Sequence, residues 1–409
     1  MSSIVDQGTL SAINFLTSLL AARLLDQAHF GAYGFGLSLV FFAQTIQHAI
    51  LGESQEVLVS TLKDEAWKRM VGTMIRVQIL LIAALATIVG GTAALWPDQT
   101  TSTVLLGAAL VSAALLPHDF IRRLLLARLQ VAKTLGLSVS RFVIHFGLLA
   151  ILYYGGHLKL LTFYVVLATG AAAIVIIGST LTLSGMRGYF QLFRPELRSL
   201  WDFSRWIIVK NMGRYVLLNG AYWALVAMLG FENAALYSAG YLIIAVVYVA
   251  AMGLSGFFTP YFARMYMERR PIYAPRIRWA MLGWIGLFSS LGLAIALWPE
   301  PLLRLFYGGK YQDAGTVAQT WGFISILGTL TIFMDIIFKS MRRPQLAWKA
   351  QILAMIPPLF LLIPAIQNFQ VVGALYCVLG QRILLNVVLA VHVLRELKSA
   401  ADPVLKEEA

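Results

Sequence analysis

Twelve apolar runs, each near the roughly 20 residues needed to cross a hydrocarbon core as a helix, follow one another along this chain of 409 residues. They fall at residues 8–26, 32–51, 71–95, 103–121, 134–154, 160–184, 203–229, 234–262, 278–298, 317–338, 350–367 and 371–394. Hydrophobic residues make up 59% of the chain and charged residues 12%, about half the charged share of an ordinary soluble domain. A soluble fold cannot hide that much apolar surface, so lipid must cover it. Inside lipid every backbone polar group needs an internal partner, which leaves helices or closed barrels, and runs of this length select helices. The expected fold class is an all-α polytopic membrane protein of about 12 transmembrane helices. No connection is long enough to hold a separate soluble domain.

The distribution of charge sets the expected orientation. Of 32 Lys and Arg residues, all but five fall on or near one side. Arg23, Lys159, Arg304 and Lys310 lie on the other side, and Arg382 lies mid-span. The positive-inside rule places the rich side, and with it both termini, in the cytoplasm. The net charge of +13 is thus accounted for by topology, and no nucleic-acid partner is expected. Residues 1–7 lack a basic n-region, so the first run is expected to be retained as a span. The lone Cys377 excludes a disulfide framework and a cysteine-based metal site.

The chain repeats itself near half-length. The third span ends Gly90-Gly-Thr-Ala-Ala-Leu-Trp-Pro-Asp98 and the ninth ends Gly292-Leu-Ala-Ile-Ala-Leu-Trp-Pro-Glu300. Tyr33 and Gly36 recur as Tyr237 and Gly240. A repeat of six spans keeps orientation, so two six-helix lobes related by a parallel pseudo-two-fold axis are expected. The divisions are 1–185 for the N-terminal lobe, 186–202 for a cytoplasmic linker and 203–409 for the C-terminal lobe with a short tail. Folds built this way bind substrate between repeats and rock one against the other.

Polar groups at membrane depth are costly and therefore candidates for function. Arg382 lies near the middle of the last span with Gln381 beside it and Asn386 one turn on; a water-facing role and an ion pair with Asp335 are both open. Asn211, Tyr215, Asn219 and Tyr222 share one helix face, flanked by Lys210 and Arg214, and Gln7, Ser11, Asn14 and Ser18 form a milder stripe in the first span. These stripes face water or substrate, or bond to neighbouring helices. Ser138, Arg141 and His145 share a face of the fifth span, while Arg76 can snorkel to the cytoplasm. Asp335 and Asp119 are candidates for ion coupling, with Asp119 one turn from Arg122 and Arg123 and so expected to pair with them.

No phosphate-binding Gly-x-x-x-x-Gly-Lys-Ser/Thr loop is present, and no His-Glu-x-x-His or nucleophile-elbow motif. An enzyme is not expected, nor a cofactor, nor a metal site. Transport by such a chain is expected to draw on an ion gradient, the membrane potential or downstream consumption of the product.

Three stretches carry a family resemblance. They are Ala22-Arg-Leu-Leu-Asp-Gln-Ala-His-Phe-Gly-Ala-Tyr33, Asp119-Phe-Ile-Arg-Arg-Leu-Leu-Leu-Ala-Arg128 and Leu302-Leu-Arg-Leu-Phe-Tyr-Gly-Gly-Lys-Tyr311. Together they resemble polysaccharide biosynthesis proteins of the Wzx-like flippase branch of the multidrug/oligosaccharidyl-lipid/polysaccharide (MOP) exporter superfamily. The resemblance implies a bacterial inner-membrane flippase with two lobes around a cationic lumen. Its partner would be an undecaprenyl-pyrophosphate-linked oligosaccharide, with polysaccharide polymerase or assembly proteins nearby. Arg141, Lys210, Arg214 and Arg382 are then expected to contact the headgroup, with Asn211, Tyr215, Asn219, Asn14 and Arg76 along the lumen. The alternatives are a cation-coupled drug or small-molecule exporter of the same superfamily and a membrane-embedded polysaccharide polymerase or ligase.

Overall fold

The structure is a computed structural model that describes residues 2–59, 62, 64–183, 185–186, 188–268, 273–341 and 344–407. Lys63, Arg187, Arg269, Arg270, Arg342 and Arg343, which contribute to the charge asymmetry, lie outside the described residues. The described chain is helical throughout, with no strand among the described residues. In order the helices are α1 (Ser2–Leu24), α2 (Gln27–Gln47), a π-helical turn (His48–Gly52), α3 (Glu53–Val57), α4 (Asp64–Leu95), α5 (Gln99–Ala127), α6 (Val131–Tyr154) and α7 (Leu160–Thr182). They continue with α8 (Arg194–Met267), α9 (Tyr273–Leu297), α10 (Pro299–Tyr307), α11 (Gly315–Ser340) and α12 (Pro344–Glu407).

Two of these helices are double. Among the described residues, nine stretches are long and apolar enough to cross a membrane, and two of them, within α8 and α12, run to 49 residues each. At 1.5 Å per residue each covers about 74 Å, more than twice a hydrocarbon core. Each breaks once. Gly230 adopts φ 76 and ψ −174 inside α8, a conformation that glycine takes without a Cβ penalty. The rings of Tyr222 and Tyr237 are 5.2 Å apart, whereas 15 residues of straight helix would separate them by about 22 Å. The chain therefore reverses at Gly230. In α12 the break is Gln370, with φ 51, and the two arms close so tightly that a Cβ on Gly373 would overlap the Ala365 carbonyl. Two double stretches and seven single ones make eleven crossings; α1, where the first of the twelve expected spans falls, is helical over Ser2–Leu24 but is not among the stretches apolar enough to cross.

The chain divides into two compact units, Met1–Gly220 and Ala221–Ala409. In the first, α5 is the hub and packs on α2, α4, α6 and α7. Tyr164 of α7 slots between Gly36 and Gly107, and its hydroxyl donates to the Ala32 and Tyr33 carbonyls at 3.2 Å. Residues 194–220 of α8 belong to this unit, held by bonds from Ser204 to the Ile50 carbonyl (2.8 Å) and from Tyr215 to the Ser38 carbonyl (2.8 Å). In the second unit the hub is α11, packed on α9 and α12, with Trp284 donating to the Thr329 carbonyl at 2.9 Å. The hubs are the fourth and tenth spans. They stand six apart in the order of the expected spans.

The turn between α4 and α5 is closed by Asp98, whose Oδ2 accepts from both the backbone N–H and the hydroxyl of Thr101 at 2.7 Å. These bonds to the ionised form hold its carboxyl below the usual range. The sign follows from linkage. A depressed carboxyl contributes stability above its unfolded-state pKa and loses it as pH falls through the folded value. An Asp98→Ala variant should therefore unfold at a lower temperature than the parent near neutral pH. The gap should close in acid, below the ordinary aspartate pKa. A gap that persists or widens there would contradict the cap.

Candidate functional site

The polar interior of the first unit is built where α1, α5 and α6 meet. Asp6 is 1% exposed. Its Oδ1 accepts from Ser138 at 2.5 Å, and its Oδ2 lies 3.5 Å from Arg122 Nε. Arg122 also donates to Gln7 at 3.0 Å. One turn and more along α6, His145 bonds to Thr17 at 2.7 Å, and Thr17 donates to the Ile13 carbonyl. Between Ser138 and His145 sits Arg141, 3% exposed, with Nε and Nη2 buried and without hydrogen-bond partners.

The predicted face of α6 thus does gather Ser138, Arg141 and His145. On α1, however, the residues that meet it are Asp6 and Thr17. Asn14 is exposed, and so is Gln7. Asp6 lies two residues before the first apolar run, which begins at 8, and so is not among the expected polar residues of that span. Its spacing of 11 from Thr17 (three helical turns, one face) was the available signal.

A second polar cluster lies at the end of α2. There a cavity of about 310 Å³ is lined by Phe41, Gln44, Thr45, His48, Asp119, Arg123 and Tyr215. His48 opens the π-helical turn, an irregularity that inserts a residue into a helix and is frequent at functional sites. Arg123 is paired with two carboxylates, Nε 2.7 Å from Asp119 and Nη1 2.8 Å from Glu56. Asp119, expected to pair with Arg122 and Arg123, pairs with Arg123, while Arg122 turns to Asp6. The charged groups bearing on His48 are Arg123 and three carboxylates, Glu56, Asp119 and Glu53. With neutral histidine the neighbourhood is net negative, in a chain whose net charge is +13.

The stripe on α8 finds protein partners. Asn211 donates to Glu53 at 3.0 Å, Tyr215 donates to the Ser38 carbonyl, and Asn219 donates to the carbonyl of Tyr215. Lys210 and Arg214 on the same segment are exposed. Arg76 donates to the Phe190 carbonyl at 2.7 Å and so pins residues 188–193 to α4.

In the second unit, Arg382 is half-buried on α12. Tyr237, Tyr241 and Tyr248 lie within its electrostatic reach. Trp321 packs edge-on against Tyr237 and Tyr241 at 5.0 and 5.2 Å. Asn386 donates to the Leu327 carbonyl and to Thr331 at 3.0 and 3.1 Å. Buried atoms of Gln381, Arg382 and Asn386 remain without hydrogen-bond partners. Asp335 is half-buried on α11, and no ion pair joins it to Arg382. Arg141 and Arg382 belong to different units.

Comparison with known proteins gives the fold. No protein-family model matches the sequence, and no curated protein sequence matches it. Solved structures match over almost the whole chain. The inward-facing form of a multidrug resistance MATE family transporter of the MOP superfamily aligns with a TM-score of 0.74 at 12% identity, covering 98% of this chain and 96% of that one. An outward-facing form aligns with a TM-score of 0.66 at 10% identity, covering 98% and 94%. A MOP superfamily transporter from Pyrococcus furiosus, described by the reverse polarity of its binding pocket as suggesting a different function, aligns with a TM-score of 0.66 at 11% identity over 98% and 94%. The chain has the MOP transporter fold. The inward- and outward-facing forms are MATE transporters and the Pyrococcus furiosus protein is described only as a MOP superfamily transporter, so the narrower resemblance to the flippase branch is not what they carry.

Proposed function

We propose that this chain, built on the MOP transporter fold, is a secondary transporter that exports small organic cations by alternating access. The reading rests on one observation, the cavity at the end of α2. It is an open cleft of about 310 Å³ lined by both charged and aromatic side chains. Asp119 and Arg123 line it, with Glu53 and Glu56 near, so three carboxylates stand against one guanidinium. Phe41 and Tyr215 supply aromatic faces for a cation. A cation leaving water for such a cleft exchanges hydration for carboxylates and rings.

Coupling in this reading falls to Asp6. A buried carboxylate held by one hydroxyl and one guanidinium can exchange its arginine for a proton or a metal cation, and that exchange can bias the two states of a transporter. Asp335 is the corresponding candidate in the second unit. The protein would sit in a bacterial inner membrane with both termini cytoplasmic.

One observation favours a second reading, the flipping of an anionic lipid-linked oligosaccharide. Arg141 and Arg382 lie in spans without carboxylate partners, and both keep buried nitrogens without hydrogen-bond partners, which suits an anionic headgroup. Proteoliposomes loaded with a fluorescent organic cation separate the two. The cation reading expects gradient-dependent transport, reduced about tenfold in Glu53→Gln and Asp119→Asn at equal membrane abundance. Movement of a lipid-linked oligosaccharide across the same vesicles, with the cation left behind, would reverse the assignment.

A further inference from the structure

The start of α8 carries a stripe that its own unit leaves open. Arg194, Arg198, Trp201 and Arg205 follow spacings of four, three and four, which is one helix face. All four are exposed, Trp201 by 59%. The same face continues through Val209 and Val216, both exposed, Val209 by 67%. A face that passes from arginine and tryptophan to valine within about four turns has the order of a bilayer, from headgroups to hydrocarbon.

The stripe is also fixed in place. Residues 188–193, just before it, are strapped to α4 by Tyr189 donating to Glu65 (2.7 Å), Thr73 accepting from the Phe193 N–H (3.2 Å) and the Arg76 bond to Phe190. Lys68 and Arg69 lie over the rings of Tyr189 and Phe193 at 5.3 and 5.7 Å. Basic side chains therefore gather at this end of the unit. On the stripe itself the carboxylate in reach is Asp202, 3.9 Å from Arg198 and 4.0 Å from Arg205. Such distances are long for charge-assisted bonds, and an exposed pair of this kind contributes little. Both guanidiniums keep their donors for another anion.

We infer that this face is a binding site for the headgroup of an anionic phospholipid. Arg198 and Arg205, about 10 Å apart along the helix, take the phosphate oxygens, and Trp201 between them lies at the boundary with the acyl chains. Binding here anchors the strap and the first turns of α8 to the basic leaflet face, independently of what the protein carries. Exposed guanidiniums are also the donors best matched to phosphate geometry.

The test is a thermal-unfolding titration of the full-length protein in neutral detergent with phosphatidylglycerol, with phosphatidylcholine and inorganic phosphate as comparison arms. The parent should be stabilised by phosphatidylglycerol alone. In R198Q/R205Q the half-maximal lipid concentration should rise roughly twenty-five-fold, since each basic residue near an anionic surface is worth about fivefold. R198K/R205K should stay within a few-fold of the parent. If the double glutamine variant does not accumulate, R198Q alone should show about a fivefold shift. An unchanged titration in the glutamine variants overturns the site. So does equal stabilisation by phosphatidylcholine or by free phosphate.

Discussion

Replacing Asp6 by alanine is expected to remove about 3–5 kcal/mol of folding stability. The reason is the arginine left behind. Asp6 and Arg122 are both buried, 1% and 8% exposed, and the pair is closed further by Ser138 and Gln7. Removal of the carboxylate strands a guanidinium in a low-dielectric interior with one neutral acceptor, Gln7, and a more distant carboxylate, Asp119, already paired with Arg123. A folded domain is stable by only about 5–15 kcal/mol, so Asp6→Ala should accumulate poorly and unfold many degrees earlier in detergent. A double variant, Asp6→Leu with Arg122→Met, tests the cause. Once neither charge remains, the desolvation cost disappears and stability should return to the parent's level or exceed it by about 1–4 kcal/mol. The double variant should still fail to couple transport to a gradient. Parental stability in the single variant would show that the pair is solvated and that Asp6 has no special place in the fold.

The contrast between what hydropathy disclosed and what it hid is visible in these residues. Spans ending at 229 and starting at 234, and ending at 367 and starting at 371, bracket the backbone breaks at Gly230 and Gln370, because a polar or glycine interruption in an apolar run is itself the signal. The partners of buried polar groups carry no such signal. Gln7 meets Arg122 across 115 residues, and Asp6 meets Ser138 across 132. Periodicity says that a face is polar but not which helix it meets. The α8 stripe shows this limit: Asn211, Tyr215 and Asn219 read correctly as one polar face, yet their hydrogen bonds go to Glu53, to a backbone carbonyl of α2 and to their own helix. The π-helical turn at His48–Gly52 was illegible for a related reason. It changes hydrogen-bond register by one residue without changing composition, although it shapes the cavity wall that includes His48.

Arg141→Met should raise stability. Arg141 is 3% exposed, and its Nε and Nη2 meet no acceptor. The carboxylate that bears on it, Asp119, is already engaged by Arg123 at 2.7 Å, and the neighbouring Arg122 repels it. A buried charge without a close partner is a net cost, and a flexible apolar side chain of similar length fills the same space without desolvation. The gain should be about 1–4 kcal/mol, seen as a rise of about 2–4 °C in Tm per kcal/mol for a unit of this size. Transport measured on the same protein then assigns the arginine. If its positive charge acts on the substrate or on Asp6, activity should fall at least about tenfold in Arg141→Met although the protein is more stable, and Arg141→Lys should recover part of it. Unchanged transport at higher Tm would make Arg141 a tolerated burden of the α6 face, with no part in moving a substrate. A lower Tm would mean that the guanidinium is well paired in the folded protein, and the charge balance drawn for the interior of the first unit would be wrong.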